Sequence, residues 1–272
     1  KIGALVSGFL AECRDYEVHV ADVNGNAANS VVAAHGLPNL HACELDASNP
    51  VLLEAHLREH PADTIISSLP FYCNVKVAEV ARKVNAHYFD LTEDVAVTRS
   101  VRRTAEGSTR AFVPQCGLAP GFISIAANAL IQHFDEIRSV KLRVGALPQH
   151  PNNALKYSLT WSTDGLINEY CHPCEAIHGG ETISALPLEG LEHFSLDGVE
   201  YEAFNTSGGL GTLCETWAGK VLNLDYKTVR YPGHRNLMKF LLEDLALAGD
   251  QELLKDIMRK SMPATMQDVV LV

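Results

Sequence analysis

Positive charge is scarce in this chain. Thirty-three aspartates and glutamates outnumber 22 lysines and arginines, giving a formal net charge of −11 over 272 residues. Nucleic acid and anionic membrane both need a basic face to neutralise phosphate, so neither is expected as a partner. No apolar run reaches the roughly 18 residues of a membrane span. Internal repeats and low-complexity segments are absent too. Cysteine is present but lacks the pattern of a disulfide framework: the seven are scattered and odd in number. Cys13, Cys43 and Cys73 fall in or beside apolar elements, where a free thiol behaves as a small hydrophobe, and a reducing cytoplasm is the expected location. Cys171-His172-Pro173-Cys174 has the spacing of half a zinc site. No second pair follows, so no metal is expected. His178-Gly179-Gly180 lacks the Gly-x-Ser-x-Gly elbow that would make it an oxyanion loop, and it reads as a hairpin turn.

What is present is enough apolar material for two cores. Hydrophobic residues make up 47% of the chain and charged ones 20%, and its length exceeds one ordinary domain. Lys1-Ile2-Gly3 reads as the last three positions of a G-x-G-x-x-G fingerprint. A helical stretch follows, then the strand Glu17-Val18-His19-Val20-Ala21, with Asp22 at its tip. A carboxylate there accepts hydrogen bonds from the ribose hydroxyls of a dinucleotide. Asp22-Val23-Asn24 offers nothing basic for a 2′-phosphate, so NAD is expected rather than NADP. Lys1, Ile2, Gly3 and Asp22 are therefore candidate cofactor residues. An alternative role for Asp22 is to stabilise the Asn24-Gly25 turn.

Strands are expected over 16–22, 40–45, 64–69, 87–91 and 111–115, with helices over 26–35, 51–60, 74–84 and 94–106 between them. This alternation predicts an α/β fold with a doubly wound, Rossmann-like parallel sheet, its ligands outside the carboxyl ends of the strands. Asp46 ends the second of these strands and is either an adenine neighbour or a helix cap. Ser67-Ser68-Leu69-Pro70 ends the third. Small residues there let backbone approach a pyrophosphate, which makes Ser67, Leu69 and Pro70 further cofactor candidates. Asp90-Leu91-Thr92-Glu93-Asp94 gathers three carboxylates at the next strand end. Such a group can bind an ammonium and take its proton, so Asp90 is a candidate catalytic residue and Glu93 a substrate-binding one, although capping explains part of the pattern.

After Pro120 the period changes. A helix over 121–133, strands over 139–146 and 155–161, hairpins at Gly179-Gly180 and Asp197-Gly198, a helix over 211–217, a strand over 226–231 and a helical tail predict a mixed α+β second domain. The expected division is 1–118, a NAD-binding domain, and 119–272, a substrate domain.

Three further segments carry a resemblance. They are Gln115-Cys116-Gly117-Leu118-Ala119-Pro120-Gly121, then Asn152-Asn153-Ala154-Leu155-Lys156-Tyr157 with the run Ser162 to Tyr170, and Tyr231-Pro232-Gly233-His234. Together they resemble the saccharopine dehydrogenase-like family over nearly the whole chain, most closely its lysine 6-dehydrogenase branch, which oxidatively deaminates the lysine side chain with NAD. The resemblance implies a fragment, with a strand and a complete Gly-x-Gly expected before Lys1 and further strands beyond Val272. Without that central strand the polypeptide is expected to fold poorly and bind NAD weakly. Ala119 departs from the acidic residue usual in the glutamate-forming saccharopine enzymes.

The resemblance also implies roles. Lys156 and Tyr157, on a strand expected to face the nicotinamide, become candidates for carboxylate binding or proton transfer. His234, after a Pro-Gly turn, becomes a candidate base, with Tyr231 beside it. Cys116 is expected to line the pocket rather than act as a nucleophile. The expected activity is oxidation of an amino-acid CH–NH bond, with a small amino acid as substrate and a homodimer as assembly. A saccharopine dehydrogenase, an opine- or polyamine-forming relative, and a non-catalytic NAD-binding regulator are the alternatives.

Overall fold

The structure is a computed structural model that describes residues 2–159, 161–263 and 267–272. The chain divides into two units: Lys1–Leu91 with Ala96–Pro114, and Thr92–Val95 with Gln115–Val272. This differs from a single cut after residue 118, because Thr92–Val95 joins the second unit. Tertiary contacts decide it. Glu93 and Asp94 both accept hydrogen bonds from Asn168, and Gly208 lies so close that a Cβ there would stand 2.2 Å from the Glu93 carbonyl oxygen.

The first unit runs α1 (Ile2–Glu12), β1 (Val18–Asp22), α2 (Gly25–His35), β2 (Leu40–Glu44), α3 (Pro50–Glu59), β3 (Thr64–Ser67), α4 (Asn74–Lys83), β4 (His87–Asp90), α5 (Val95–Ala105) and β5 (Phe112–Val113). Local chemistry sets several starts. The Asn24 side chain accepts from the N–H groups of Asn26 and Ala27 at the head of α2. Asn49 does the same for α3, with Pro50 at the first helical position where its missing N–H costs nothing. All pairings are parallel. β1 and β2 align from Val18↔Leu40 to Asp22↔Glu44, and a separate sheet has the order β3-β4-β5. Among the described residues β1 and β3 each pair on one side only. β5 is far shorter than the expected strand over 111–115. Leu53, Leu57, Val77, Val80, Tyr88 and Val101 form the core under the helices.

The second unit continues with α6 (Phe122–Ile131), β6 (Ser139–Pro148), α7 (Thr163–Cys171), β7 (Cys174–His178), β8 (Glu181–Ala185), β9 (Glu192–Leu196), β10 (Val199–Asn205), α8 (Leu213–Trp217), β11 (Asn223–Arg230), α9 (His234–Lys239), α10 (Gln251–Ser261) and β12 (Asp268–Leu271). Its seven-stranded sheet has the order β12-β6-β11-β10-β9, with β7 on β11 and β8 on β7. Among the described residues β6 and β11 pair in parallel and the other pairs of this sheet are antiparallel. Both hairpin turns have positive φ at each loop residue, 62° and 89° at Gly179-Gly180 and 52° and 78° at Asp197-Gly198. That geometry matches the strands' own twist. Tyr157, Leu166, Tyr170, Phe204, Met238 and Leu254 centre one core cluster, and Leu142, Val144, Leu213 and Leu224 a second.

The strand expected over 155–161 does not form among its described residues; Thr160 lies outside them. Residues 155–159 are irregular. The Asn153 side chain takes the Tyr157 carbonyl at 2.6 Å and the Tyr157 N–H at 3.3 Å, while Lys156 adopts φ 50°. Backbone groups held by a side chain in this way are not available to a sheet.

Candidate functional site

In the first unit the candidate residues gather at the carboxyl ends of the strands. Ile2 and Gly3 open α1, and Lys1 lies outside the described residues. A Cβ on Gly3 would stand 2.8 Å from Ser68 Oγ, so glycine is what lets the helix start approach the β3 tip. Asp22 is exposed at the end of β1, where its Oδ1 accepts from the Asn24 N–H at 2.9 Å, the turn contact named as its alternative role. Glu44 is its register partner across β2 and packs against Gly25. Two carboxylates therefore flank this corner. Asp46 does not cap α3; Asn49 does. Its Oδ1 accepts from the Ser48 hydroxyl at 2.6 Å and the Ser48 N–H at 3.0 Å, and these bonds hold its pKa below the usual carboxylate range. Leu69 and Pro70 lead from β3 into a short 3₁₀ turn, Phe71–Cys73.

Ser67 turns inward. Its hydroxyl donates to Asn74 Oδ1 at 2.7 Å, and both residues are buried. Asp90, the register partner of Ser67, is fully buried and accepts from the Tyr88 hydroxyl at 2.7 Å. Burial, with the neighbouring Asp90 charge, drives the Tyr88 pKa upward. The Ser67–Asn74 and Tyr88–Asp90 pairs thus form a polar patch under the strand ends. Asn74 and Tyr88 escaped the sequence reading because each looks like an ordinary helix or strand residue.

In the second unit Glu93 is buried and Asp94 partly so. The Asn168 amide donates to Asp94 Oδ2 at 3.1 Å and to Glu93 Oε1 at 3.4 Å. The next residue, Glu169, is 7% exposed and lies 3.3 Å from an Nη of Arg230, itself 3% exposed. Burial pushes the Glu169 carboxyl up to about 8, with Glu93 adding to the effect and Arg230 opposing it. One long contact to a guanidinium shared with other partners does not offset loss of water. These residues are brought together by the first turns of α7. Ser162 caps them, and Gly165 makes room for the Trp161 ring, which a Cβ would meet at 2.3 Å.

His234 is 0% exposed. Its Nδ1 donates to the Leu155 carbonyl at 2.8 Å; a carbonyl only accepts, so the proton sits on Nδ1. Nε2 then accepts from the Tyr170 hydroxyl at 3.0 Å. Arg230 Nε in turn donates to that hydroxyl at 3.0 Å. Burial, then the Arg230 charge, pushes the imidazole down to about 3. A base near neutrality needs an accessible nitrogen and a pKa near the working pH; His234 has neither in this geometry. Lys156 is exposed and its Nζ donates to the Pro232 carbonyl at 3.0 Å. Tyr157 is fully buried between the His234 ring, 5.3 Å away, and the Arg230 guanidinium, 4.8 Å away. Tyr231 donates to the Pro148 carbonyl and stacks on Tyr201, so it braces the sheet. Lys156, Tyr157 and His234 therefore meet, although two stretches of chain far apart supply them.

Cys116 is an exposed thiol in the loop that Gly121 closes, where a Cβ would be 2.2 Å from the Gly117 carbonyl oxygen. Cys174 is buried, and burial pushes its thiol up to about 12. Among the described residues no group of three or more His, Cys, Asp or Glu is placed to hold a metal, and no helix is long and apolar enough to cross a membrane. A cavity of about 580 Å³ in the second unit is lined by Phe134, Arg138, Trp217 and Lys220, none of them a candidate site residue.

Comparison with known proteins bears on both units. Residues 1–114 match the profile of the saccharopine dehydrogenase NADP binding domain, and residues 117–269 that of the saccharopine dehydrogenase C-terminal domain. Alpha-aminoadipic semialdehyde synthase of Arabidopsis thaliana is 23% identical over 173 residues, which is 61% of this chain and 16% of that protein. Saccharopine dehydrogenase [NADP(+), L-glutamate-forming] of Schizosaccharomyces pombe is 24% identical over 165 residues, 58% of this chain and 36% of that protein. The chain thus spans only a minor part of the curated relatives it matches. Among solved structures, apo saccharopine dehydrogenase (L-Glu forming) of Saccharomyces cerevisiae shares the fold, with a TM-score of 0.70 at 19% identity, over 91% of this chain and 57% of that one.

Proposed function

Since the chain belongs to the saccharopine dehydrogenase family, we propose that it is an NAD-dependent oxidoreductase of amino-acid CH–NH bonds whose reaction is oxidative deamination of the lysine ε-amine. The observation that supports lysine is the charge inventory of the second unit. Glu93 and Asp94 are gathered on one amide, an arrangement suited to an ammonium group. Arg143, Lys227, Arg230, Arg235 and Lys239 each already face a carboxylate of the protein. Among the described residues Lys156 Nζ donates to a neutral carbonyl, that of Pro232, and a substrate carboxylate is a better acceptor for it. One anchored carboxylate and one held ammonium describe lysine. Saccharopine, with three carboxylates, is the second reading, favoured by the names the relatives carry.

NAD over NADP is supported by the β1–β2 corner, where Asp22 and Glu44 would repel a 2′-phosphate. The residues of the first unit fit a dinucleotide: Gly3 and Ser68 leave a close approach at the helix start, and Asp22 is exposed for the ribose hydroxyls. NAD when bound would supply the hydride acceptor. The chain's own residues do the rest. Lys156 Nζ anchors the α-carboxylate. Glu93 and Asp94 hold the ε-nitrogen and take the proton it must lose, because a protonated ammonium has no lone pair to stabilise the carbon that is oxidised. Replacing Asp94 by Asn tests the assignment: kcat/KM for lysine should fall by at least tenfold and lose one limb of its pH profile, with NAD affinity unchanged. Normal turnover in that variant would remove Asp94 from the proton path.

A further inference from the structure

We propose that His234 is a positioning residue rather than a proton carrier: its Nδ1–H holds the Leu155 carbonyl and so fixes the left-handed turn that presents Lys156. The inference rests on the reading of Lys156 as the carboxylate anchor. It is carried by a set of contacts that all converge on two short segments. Lys156 has φ 50°, a left-handed conformation uncommon for a residue with a Cβ and stabilised here by the contacts around it. From one side the Asn153 side chain grips Tyr157, and the Lys156 N–H donates to the Asn153 carbonyl at 3.0 Å. From the other side the His234 ring takes the Leu155 carbonyl at 2.8 Å. Lys156 Nζ returns the contact by donating to Pro232, two residues before His234.

His234 is itself fixed at both ends. Its backbone turn is pinned by Glu202, which is 2% exposed and accepts from the Gly233 N–H at 2.8 Å and the Arg235 N–H at 2.7 Å. Its ring is fixed by the Tyr170 hydroxyl, which Arg230 orients, and Arg230 is tied to the Val229 carbonyl at 2.9 Å and to Glu169. A buried histidine so completely held has one outlet for its order, the Leu155–Lys156 peptide. A chain of this kind transmits geometry without touching substrate.

Asparagine and glutamine separate the two ring nitrogens. The Asn amide nitrogen reaches the position of Nδ1 and keeps the donor to Leu155; the Gln amide reaches the position of Nε2 and leaves that carbonyl without it. We expect H234N to keep KM for lysine within about threefold and H234Q to raise it about tenfold, with kcat falling less than KM rises. Hydrogen–deuterium exchange at the Lys156 and Tyr157 amides should accelerate in H234Q and stay near wild type in H234N. Loss of kcat to the same extent in both variants, with no change in exchange, would overturn the proposal. Lys156→Met separates this from the functional reading. If KM is unchanged in K156M, the anchor assignment fails, while the exchange data still decide whether His234 sets the turn. If K156M raises KM and H234Q does not, the positioning role alone fails.

Discussion

His234 and Glu169 are shifted in opposite senses, so the second unit should resist mild acid until one of them is removed. The imidazole is pushed from its ordinary 6.5 to about 3. The unfolded chain therefore takes up this proton first, and stability is lost as pH falls from 6.5 toward 3. Between pH 7 and pH 5 the loss is about 2 kcal/mol. Glu169 is raised from 4.5 to about 8. Here the folded chain takes up the proton first, so stability is gained as pH falls from 8 toward 4.5, by about 2 to 3 kcal/mol over the same interval. The two contributions nearly cancel.

Glu169→Gln should expose the histidine, making the protein less stable at pH 5 than at pH 7 by about 2 kcal/mol relative to wild type. His234→Asn should do the reverse. Both tryptophans of the chain, Trp161 and Trp217, belong to the second unit, so urea titrations followed by tryptophan fluorescence report on it alone. The neighbours that face these groups (Arg230, Tyr170, Glu93, Tyr226 and Cys174) are common to all three proteins, so only differences in slope are read. Identical pH dependence in wild type and both variants would refute the burial argument for the pair.

Three other outcomes follow from the geometry. Tyr88→Phe removes a hydrogen-bond donor to the fully buried Asp90 side chain and should cost about 1.5 to 3 kcal/mol in the stability of the first unit, read by urea titration with hydrogen–deuterium exchange at its amides. Val23→Arg with Glu44→Gln should shift preference from NAD toward NADP by at least tenfold in the ratio of kcat/KM values, since it replaces repulsion of a 2′-phosphate with attraction. Asn168→Leu removes an amide donor that Glu93 and Asp94 share, which should raise KM for lysine about tenfold and lower the thermal midpoint. Steady-state kinetics and thermal scans check the last two.

Much of the first unit was legible because its signals are local. Asparagine caps, short apolar strands and the Asp22 position depend on neighbours a few residues away. Both hairpins of the second unit were legible for the same reason. The run over 155–161 shows where such reading stops. It alternates apolar and polar residues as a strand would, and Leu155 and Tyr157 are buried while Lys156 is exposed. The alternation reported burial only as far as Tyr157, since Ser158 is buried as well; Asn153 and His234 hold the backbone of 155–157 in a turn. Arg230 was missed because an arginine in a strand reads as a solvent-facing residue, and only Glu169, Tyr170 and Tyr157 arriving from elsewhere make it a buried centre. The same distant contacts changed His234 from a candidate base to a sealed ring, and contacts with Asn168 and Gly208 put Glu93 and Asp94 in the second unit rather than the first.

The most direct test is initial-rate absorbance at the reduced-nicotinamide band, with NAD and NADP each offered lysine, saccharopine and carboxynorspermidine. We expect reduction of NAD by lysine to exceed every other combination by at least tenfold in kcat/KM, with release of ammonia. Preferential turnover of saccharopine with NADP would contradict the reading of the acidic cluster, Lys156 and the Asp22–Glu44 corner together.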